Sequence, residues 1–137
     1  MSPEMNKAVV RRFNAEVIAQ GDRTVFEALM APDFVNHAAP PGAPTGAEGM
    51  WNTFQNVLRP ALSDLQVIIH DQLGEGDKVT TRKTVTGVHT GPLMGVAATG
   101  KTVTIEVIDI IRLEGGRYVE HWGLNTLQAT LDQLKRG

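Results

Sequence analysis

The run Val103-Thr-Ile-Glu-Val-Ile-Asp-Ile-Ile-Arg112, returning through Arg117-Tyr-Val-Glu-His-Trp-Gly123, constrains this chain more than any other stretch. Side chains alternate faces along a strand, so Val103, Ile105, Val107, Asp109 and Ile111 share one side. Four of these five are apolar and β-branched, and the fifth is a carboxylate. The turn Glu114-Gly115-Gly116 makes the second run an adjacent strand. There Val119, His121 and Gly123 share a face. With a bulge or a suitable loop the two faces coincide, and Asp109 and His121 become neighbours on an apolar surface.

The rest of the chain reads as helices before this sheet. Ser2, Pro3 and Glu4 open a helix, which Val9, Phe13 and Val17 continue to about Ala19 before Gly21-Asp22 ends it. Thr24 with Glu27 forms a capping box for a short second helix, stopped by Pro32, and Phe34 to His37 is a short extended piece. Ala38 to Pro44 is a surface loop. Thr45 with Glu48 is a second capping box, for a helix running through Leu58 with Pro60 beyond its end. From Leu65 the period changes to two. A strand there is followed by the turn Gly74–Asp77, by the Thr-rich strand Val79–Val88 and by a Gly-rich connection to Gly100. Leu124 to Leu134 closes the chain as a helix. Three helices and a short strand, four long antiparallel strands and a short C-terminal helix make an α+β layer fold. Its curved antiparallel or mixed sheet, wrapped by the three N-terminal helices, forms a cone around an apolar pocket, the default ligand site.

At 137 residues the chain is read as one domain, residues 1–137. The net charge of −2 offers nothing to attract nucleic acid or an anionic membrane. No apolar run approaches the roughly 18 residues of a spanning helix. With no cysteine, disulfides, thiolate metal sites and a Cys nucleophile are excluded. The first residues lack an apolar signal core, which makes a cytoplasmic location the default expectation.

Several motifs, in order along nearly the whole chain, resemble the SnoaL-like polyketide cyclase (ester cyclase) family. That family lies within the cone-shaped α+β superfamily of ketosteroid isomerase and nuclear transport factor two. The matching pieces are Val10-Arg-Arg-Phe13, Gly21-Asp22, Ala31-Pro-Asp-Phe-Val-Asn-His37 and Gly46-Ala-Glu-Gly49. They continue with Gly74-Glu-Gly-Asp77, Gly87-Val-His-Thr-Gly91, Thr99-Gly-Lys101, Ile108-Asp-Ile110, Glu120-His-Trp122 and Gln133-Leu134. The resemblance implies a six-element curved sheet wrapped by three helices, a deep apolar pocket and, commonly, a homodimer. It also implies intramolecular aldol closure of a polyketide ring without metal or cofactor. Characterised cyclases carry an Asp just after the last long strand, which falls on Gly123 here. Their partner His falls on Asp109, and a Tyr of the first helix falls on Val17.

From the residues themselves, Asp109 and His121 are the candidate catalytic pair. A carboxylate among Ile and Val loses hydration, which raises its pKa and suits proton transfer near neutral pH. The competing reading ties Asp109 to Arg82 or to backbone. Imidazole at His121 would orient the acid or relay its proton; a structural histidine at a sheet–helix junction is the alternative. Candidate substrate-binding residues are His37, beside the proline-rich loop, together with Trp51, Phe13, Val17, Phe34 and Asn125. The aromatics are equally readable as core, and Asn125 as a helix cap. No metal is expected, because no two histidines are spaced as ligands on one element. The expected function is acid–base chemistry, cyclisation or isomerisation, on a small apolar carbonyl compound. A noncatalytic binding domain of the same fold and an epoxide or ester hydrolase are the alternatives.

Overall fold

The structure, a computed structural model, describes residues 2–136. Helix α1 (Pro3–Arg12) runs directly into a π-helical segment (Phe13–Ala19), followed by α2 (Arg23–Leu29) and strand β1 (Met30–Asn36). Helix α3 (Ala47–Asn52) continues through a second π-helical segment (Thr53–Leu58) into the short turn α4 (Arg59–Ala61). Strands β2 (Leu62–Glu75), β3 (Lys78–His89), β4 (Thr102–Glu114) and β5 (Arg117–Asn125) follow, and α5 (Leu127–Arg136) ends the described chain.

The caps show where local sequence reading went astray. Helix α1 starts as expected, with Ser2 Oγ accepting from Met5 N–H at 3.1 Å. For α2 the cap is Asp22, whose carboxylate accepts from Val25 N–H, and not Thr24. Helix α3 is capped by Gly46 without a side-chain bond; Thr45 instead offers its carbonyl to Asn36 N–H, and Glu48 pairs with Arg23. Pro60 lies at the start of the short turn α4, a first-turn position where a missing N–H costs little.

The five strands form one open mixed sheet in the order β1-β5-β4-β3-β2, with β1 parallel to β5 and the other pairs antiparallel. Five strands replace the six elements that the family resemblance implied; Leu93 and Val96 form only an isolated bridge in the connection. Pro32 is tolerated within β1 because that strand is at the edge.

The β4–β5 turn is the two residues Gly115-Gly116, with φ of +56° and +77°, the conformation only glycine takes freely and the one a tight hairpin needs. Glu114 pairs with Arg117 and Leu113 with Tyr118, but Arg112 then pairs with Glu120. Val119 is therefore a bulge. That extra residue shifts the side-chain parity of everything after it. Without it His121 would face the opposite side of the sheet from Asp109.

All three N-terminal helical segments pack on the face that Asp109 occupies. One core joins Phe13, Val17, Phe26, Leu29 and Phe34 to Val79, Ile111 and Tyr118 of the sheet. The other joins Leu62, Val85, Leu93, Val103 and Ile105 to Leu131 and Leu134 of α5. Val67 touches both. The polar side chains of this face lie between the two.

Candidate active site

The inner faces of β3, β4 and β5 come into register row by row. Val107 sits opposite Lys83 and Asn125, Asp109 opposite Thr81 and Gly123, and Ile111 opposite Val79 and His121. Burial of the apolar flanks drags the polar middle of each strand inward, so Asp109 and Lys83 are both only 5% exposed. Asp109 Oδ2 lies 3.3 Å from Lys83 Nζ and 3.4 Å from His121 Nε2. The pair anticipated from strand alternation is thus a triad, with Lys83 as the member that alternation did not single out.

Around this triad lies a second ring of amides. Lys83 Nζ donates to Asn14 Oδ1 at 2.6 Å, and Asn14 Nδ2 donates to the Val10 carbonyl at 2.8 Å. His121 Nδ1 is 2.7 Å from Asn36 Oδ1, at the end of β1. Asn14 sits on the π-helical segment, a distortion that recurs at functional sites. The remaining carboxylate oxygen, Asp109 Oδ1, is buried and has no hydrogen-bond partner. Such an atom is costly to leave unpaired in a folded protein.

The carboxyl of Asp109 behaves differently from the sequence expectation. Burial pushes its pKa up, but the Lys83 ammonium and His121 push it down further, and the net direction is below the ordinary value. Asp109 is ionised at neutral pH. Complete burial, helped by the same negative charge, holds the Tyr118 phenol well above its usual range, so it stays neutral.

Of the other candidates, Phe13, Val17 and Phe34 are core residues. Phe13 stacks on Tyr118 with centroids 4.3 Å apart, and Val17 is fully buried. Trp51 is half-buried against Phe26, with the Arg23 guanidinium 5.1 Å from its ring centroid. Asn125 caps α5, accepting from Leu127 N–H at 2.9 Å. His37 stands apart from the triad. Its ring stacks on Trp122 with centroids 5.0 Å apart, and Nε2 is 2.8 Å from Glu120 Oε2. Arg82, weighed as a partner for Asp109, reaches Asp71 at 2.6 Å instead.

One depression, about 680 Å³, is lined by Arg82, Ile108, Ile110, Trp122 and Leu124, with His37 at its rim and parts of Val107, Asp109 and Gly123 also reached. The five strand residues named first have parity opposite to the Asp109 side chain, so the depression opens mainly on the outer face of the sheet. On the inner face the half-buried Trp51 and Phe54 flank the first core, and Val57, Leu58, Leu65, Val107 and Leu127 flank the second. Of these, Val107 stands beside Lys83 in the sheet and brings apolar surface to the triad. Among the described residues no group of His, Asp and Glu is arranged to hold a metal ion, and no helix is long and apolar enough to cross a membrane.

Sequence reasoning missed Lys83, Asn14 and Asn36. The signal for the first was present: Val79, Thr81, Lys83 and Val85 alternate inward as Val103 to Ile111 do. Asn14 continues the four-residue series Asn6, Val10, Asn14, Ile18, all buried, in which the two amides break the apolar stripe that marks a helix face.

Comparison with known proteins fits this architecture. TsrD from Streptomyces laurentii superposes with a TM-score of 0.85 at 25% identity, covering 98% of this chain and 97% of that one. IdmH from Streptomyces antibioticus, a proposed polyketide cyclase, gives 0.82 at 29% identity, covering 95% and 98%. AclR from Streptomyces galilaeus, a proposed hydroxylase, gives 0.86 at 26% identity, covering 99% and 84%. No curated protein of established annotation matches the sequence significantly. The family model of the SnoaL-like polyketide cyclases matches residues 8–134, and with nearly the whole chain inside that match this protein belongs to the SnoaL-like polyketide cyclase family.

Proposed function

We propose that the inner face around Asp109 is the active site of a cyclase or isomerase that acts on a small, apolar, carbonyl-bearing molecule, with side chains alone supplying the chemistry. The observation that carries this reading is Asp109 Oδ1, a buried, ionised carboxylate oxygen without a partner. Its free lone pairs take a proton from the carbon beside a substrate carbonyl. The electron pair of that C–H bond moves to the carbonyl oxygen, and the resulting enolate is held by an N–H of Lys83, which has three hydrogens and two protein oxygens in reach. The enolate carbon attacks a second carbonyl of the same molecule, forming one C–C bond. The new alkoxide then takes the proton back, so the product is an isomer of the substrate.

Depression of the Asp109 pKa makes it a weak base in the resting site. Contact with a bound apolar substrate strips the site of water and strengthens the acid–base partnership in the transition state. The same depression favours a second reading, in which the ionised carboxylate only accepts a hydrogen bond from a ligand O–H and the domain binds without turnover. Turnover of a panel of β-dicarbonyl, polyketide-like compounds by the wild type and by Asp109→Asn separates the two. A wild-type rate that falls at least about 100-fold in the variant supports the enzyme; equal rates remove Asp109 as base. Assembly as a homodimer through the outer face, where Ile108 and Leu124 are 54% and 82% exposed, belongs to the same proposal.

A further inference from the structure

We infer that Asn36 is a positioning residue that fixes the proton of His121 on Nδ1, leaving Nε2 as the one ring atom that gives and takes a proton beside Asp109. The inference names a role within the acid–base site proposed above, and its test needs no substrate.

The chain of hydrogen bonds runs from the backbone outward. Ala38 N–H donates to Asn36 Oδ1 at 3.0 Å, a turn-type bond from a side chain to the amide two residues on. An N–H has no lone pair to offer, so the atom facing it must be the amide oxygen and not the amide nitrogen. That settles the orientation of the Asn36 amide, which contacts alone often leave open. The same Oδ1 lies 2.7 Å from His121 Nδ1. An amide oxygen only accepts, so Nδ1 must donate and carries the hydrogen.

In the neutral ring the hydrogen is therefore absent from Nε2, whose lone pair looks toward Asp109 Oδ2 at 3.4 Å. Two acceptors then face one another, and neither makes a hydrogen bond to the other. Adding one proton to the ring places it on Nε2, where it points at a carboxylate. Protonation at this site converts a repulsive contact into a charge-assisted one. The other groups facing the pair are the Lys83 ammonium, 3.3 Å from the same carboxylate oxygen, and the neutral Tyr118 phenol.

For the proposed reaction this assigns the partner of Asp109 at the last step. Asp109 passes the proton it took from carbon to His121 Nε2, 3.4 Å from its Oδ2, and the imidazolium Nε2–H so formed returns it to the alkoxide, while Nδ1 stays engaged with Asn36 throughout. Asn36 does so from β1, the edge strand that β5 holds in parallel register through Asn36 and His121 themselves. A neutral amide orients the ring without adding a second negative charge to a site that already buries one.

The test is two-bond 1H–15N correlation spectroscopy of the 15N-labelled full chain, read across the pH range in which it stays folded. His121 is assigned from the spectrum lost in His121→Gln. The expected result is a pyrrole-type Nδ1 in every protonation state, with only Nε2 changing from pyridine-type to protonated as pH falls. A neutral ring with bare Nδ1 and protonated Nε2 overturns the assignment. Asn36→Asp keeps an acceptor at the same place and retains the Nδ1–H form; Asn36→Leu removes it and releases the ring to the Nε2–H form. An unchanged tautomer in folded Asn36→Leu also overturns it. If that variant does not fold, wild type and Asn36→Asp decide. A merely structural asparagine would leave the tautomer unmoved.

Discussion

Asp109 and Gly123 stand directly opposite each other on β4 and β5, and a methyl group added at Gly123 would lie 3.2 Å from Asp109 Cβ and 3.1 Å from His121 Nε2. The glycine leaves only the room of a hydrogen beside the acid–base pair, at the position that the family resemblance aligns with the Asp of the cyclases. Filling it pushes on both site residues at once. Gly123→Ala should lower turnover or ligand affinity at least about tenfold while costing only about 1–3 kcal/mol of stability. Kinetics on the same compound panel, beside a thermal melt, checks it; full activity in Gly123→Ala would mean that the space is not used.

Lys83 and Asp109 bury opposite charges against each other, so removing one strands the other. Lys83→Met and Asp109→Asn should each destabilise by about 3–5 kcal/mol. Together they should cost less than the sum by at least about 1 kcal/mol, since the double variant leaves no uncompensated charge of this pair. Urea unfolding of the four proteins of this cycle measures the coupling. Additive costs would show that the two groups do not sense each other.

The depressed pKa of Asp109 fixes the sign of one pH effect. A carboxyl with a folded-state pKa below its unfolded value contributes stability that is fully present above the unfolded value. That contribution is lost as pH falls through the folded one. The stability difference between wild type and Asp109→Asn should therefore hold from pH about 7 to 5 and shrink below about 4, the ordinary Asp range. Denaturant midpoints of both proteins at several pH values test this, and a gap that widens on acidification would reverse the direction of the shift.

Arg59 ties the two helical segments together by donating to the carbonyls of Ala19, Ile18 and Val17, at 3.1, 2.5 and 3.4 Å. Positive charge at a helix C-terminus is favourable, and the guanidinium bonds carbonyls of the last turn, of which Val17 also accepts from Gly21 N–H. Arg59→Ala should cost about 1–3 kcal/mol and leave Gly21, whose φ is +73°, without its packing partner. Circular dichroism melts give the value.

On the outer face, Ile108→Glu should convert the proposed homodimer to a monomer without changing turnover by more than about twofold, because Ile108 faces away from Asp109. Sedimentation velocity reads the first half and kinetics the second.

The sequence by itself determined the strand pair, the placing of Asp109 and His121 on it, and the helices before the sheet. Each rests on a period or a turn residue that acts within a few positions: alternation of Val and Ile along β4, two glycines at the hairpin, a proline and an acid at the start of α1. The family was also legible, because its motifs are spread in order along the chain. Tertiary structure decided the rest. Which capping residue is used depends on partners far away in sequence, as Glu48 turning to Arg23 illustrates. The polar ring was hidden for a related reason. Lys83, Asn14 and Asn36 come from three elements that meet only when the two apolar cores close around them, and a polar residue on an apolar face carries no periodic signal of its own. The direction of the Asp109 pKa followed from that meeting. Burial alone would raise it, and only the fold places an ammonium 3.3 Å away. Even the approach of His121 to Asp109 depends on one bulged residue, Val119, whose extra step turns His121 and Gly123 to the inner face.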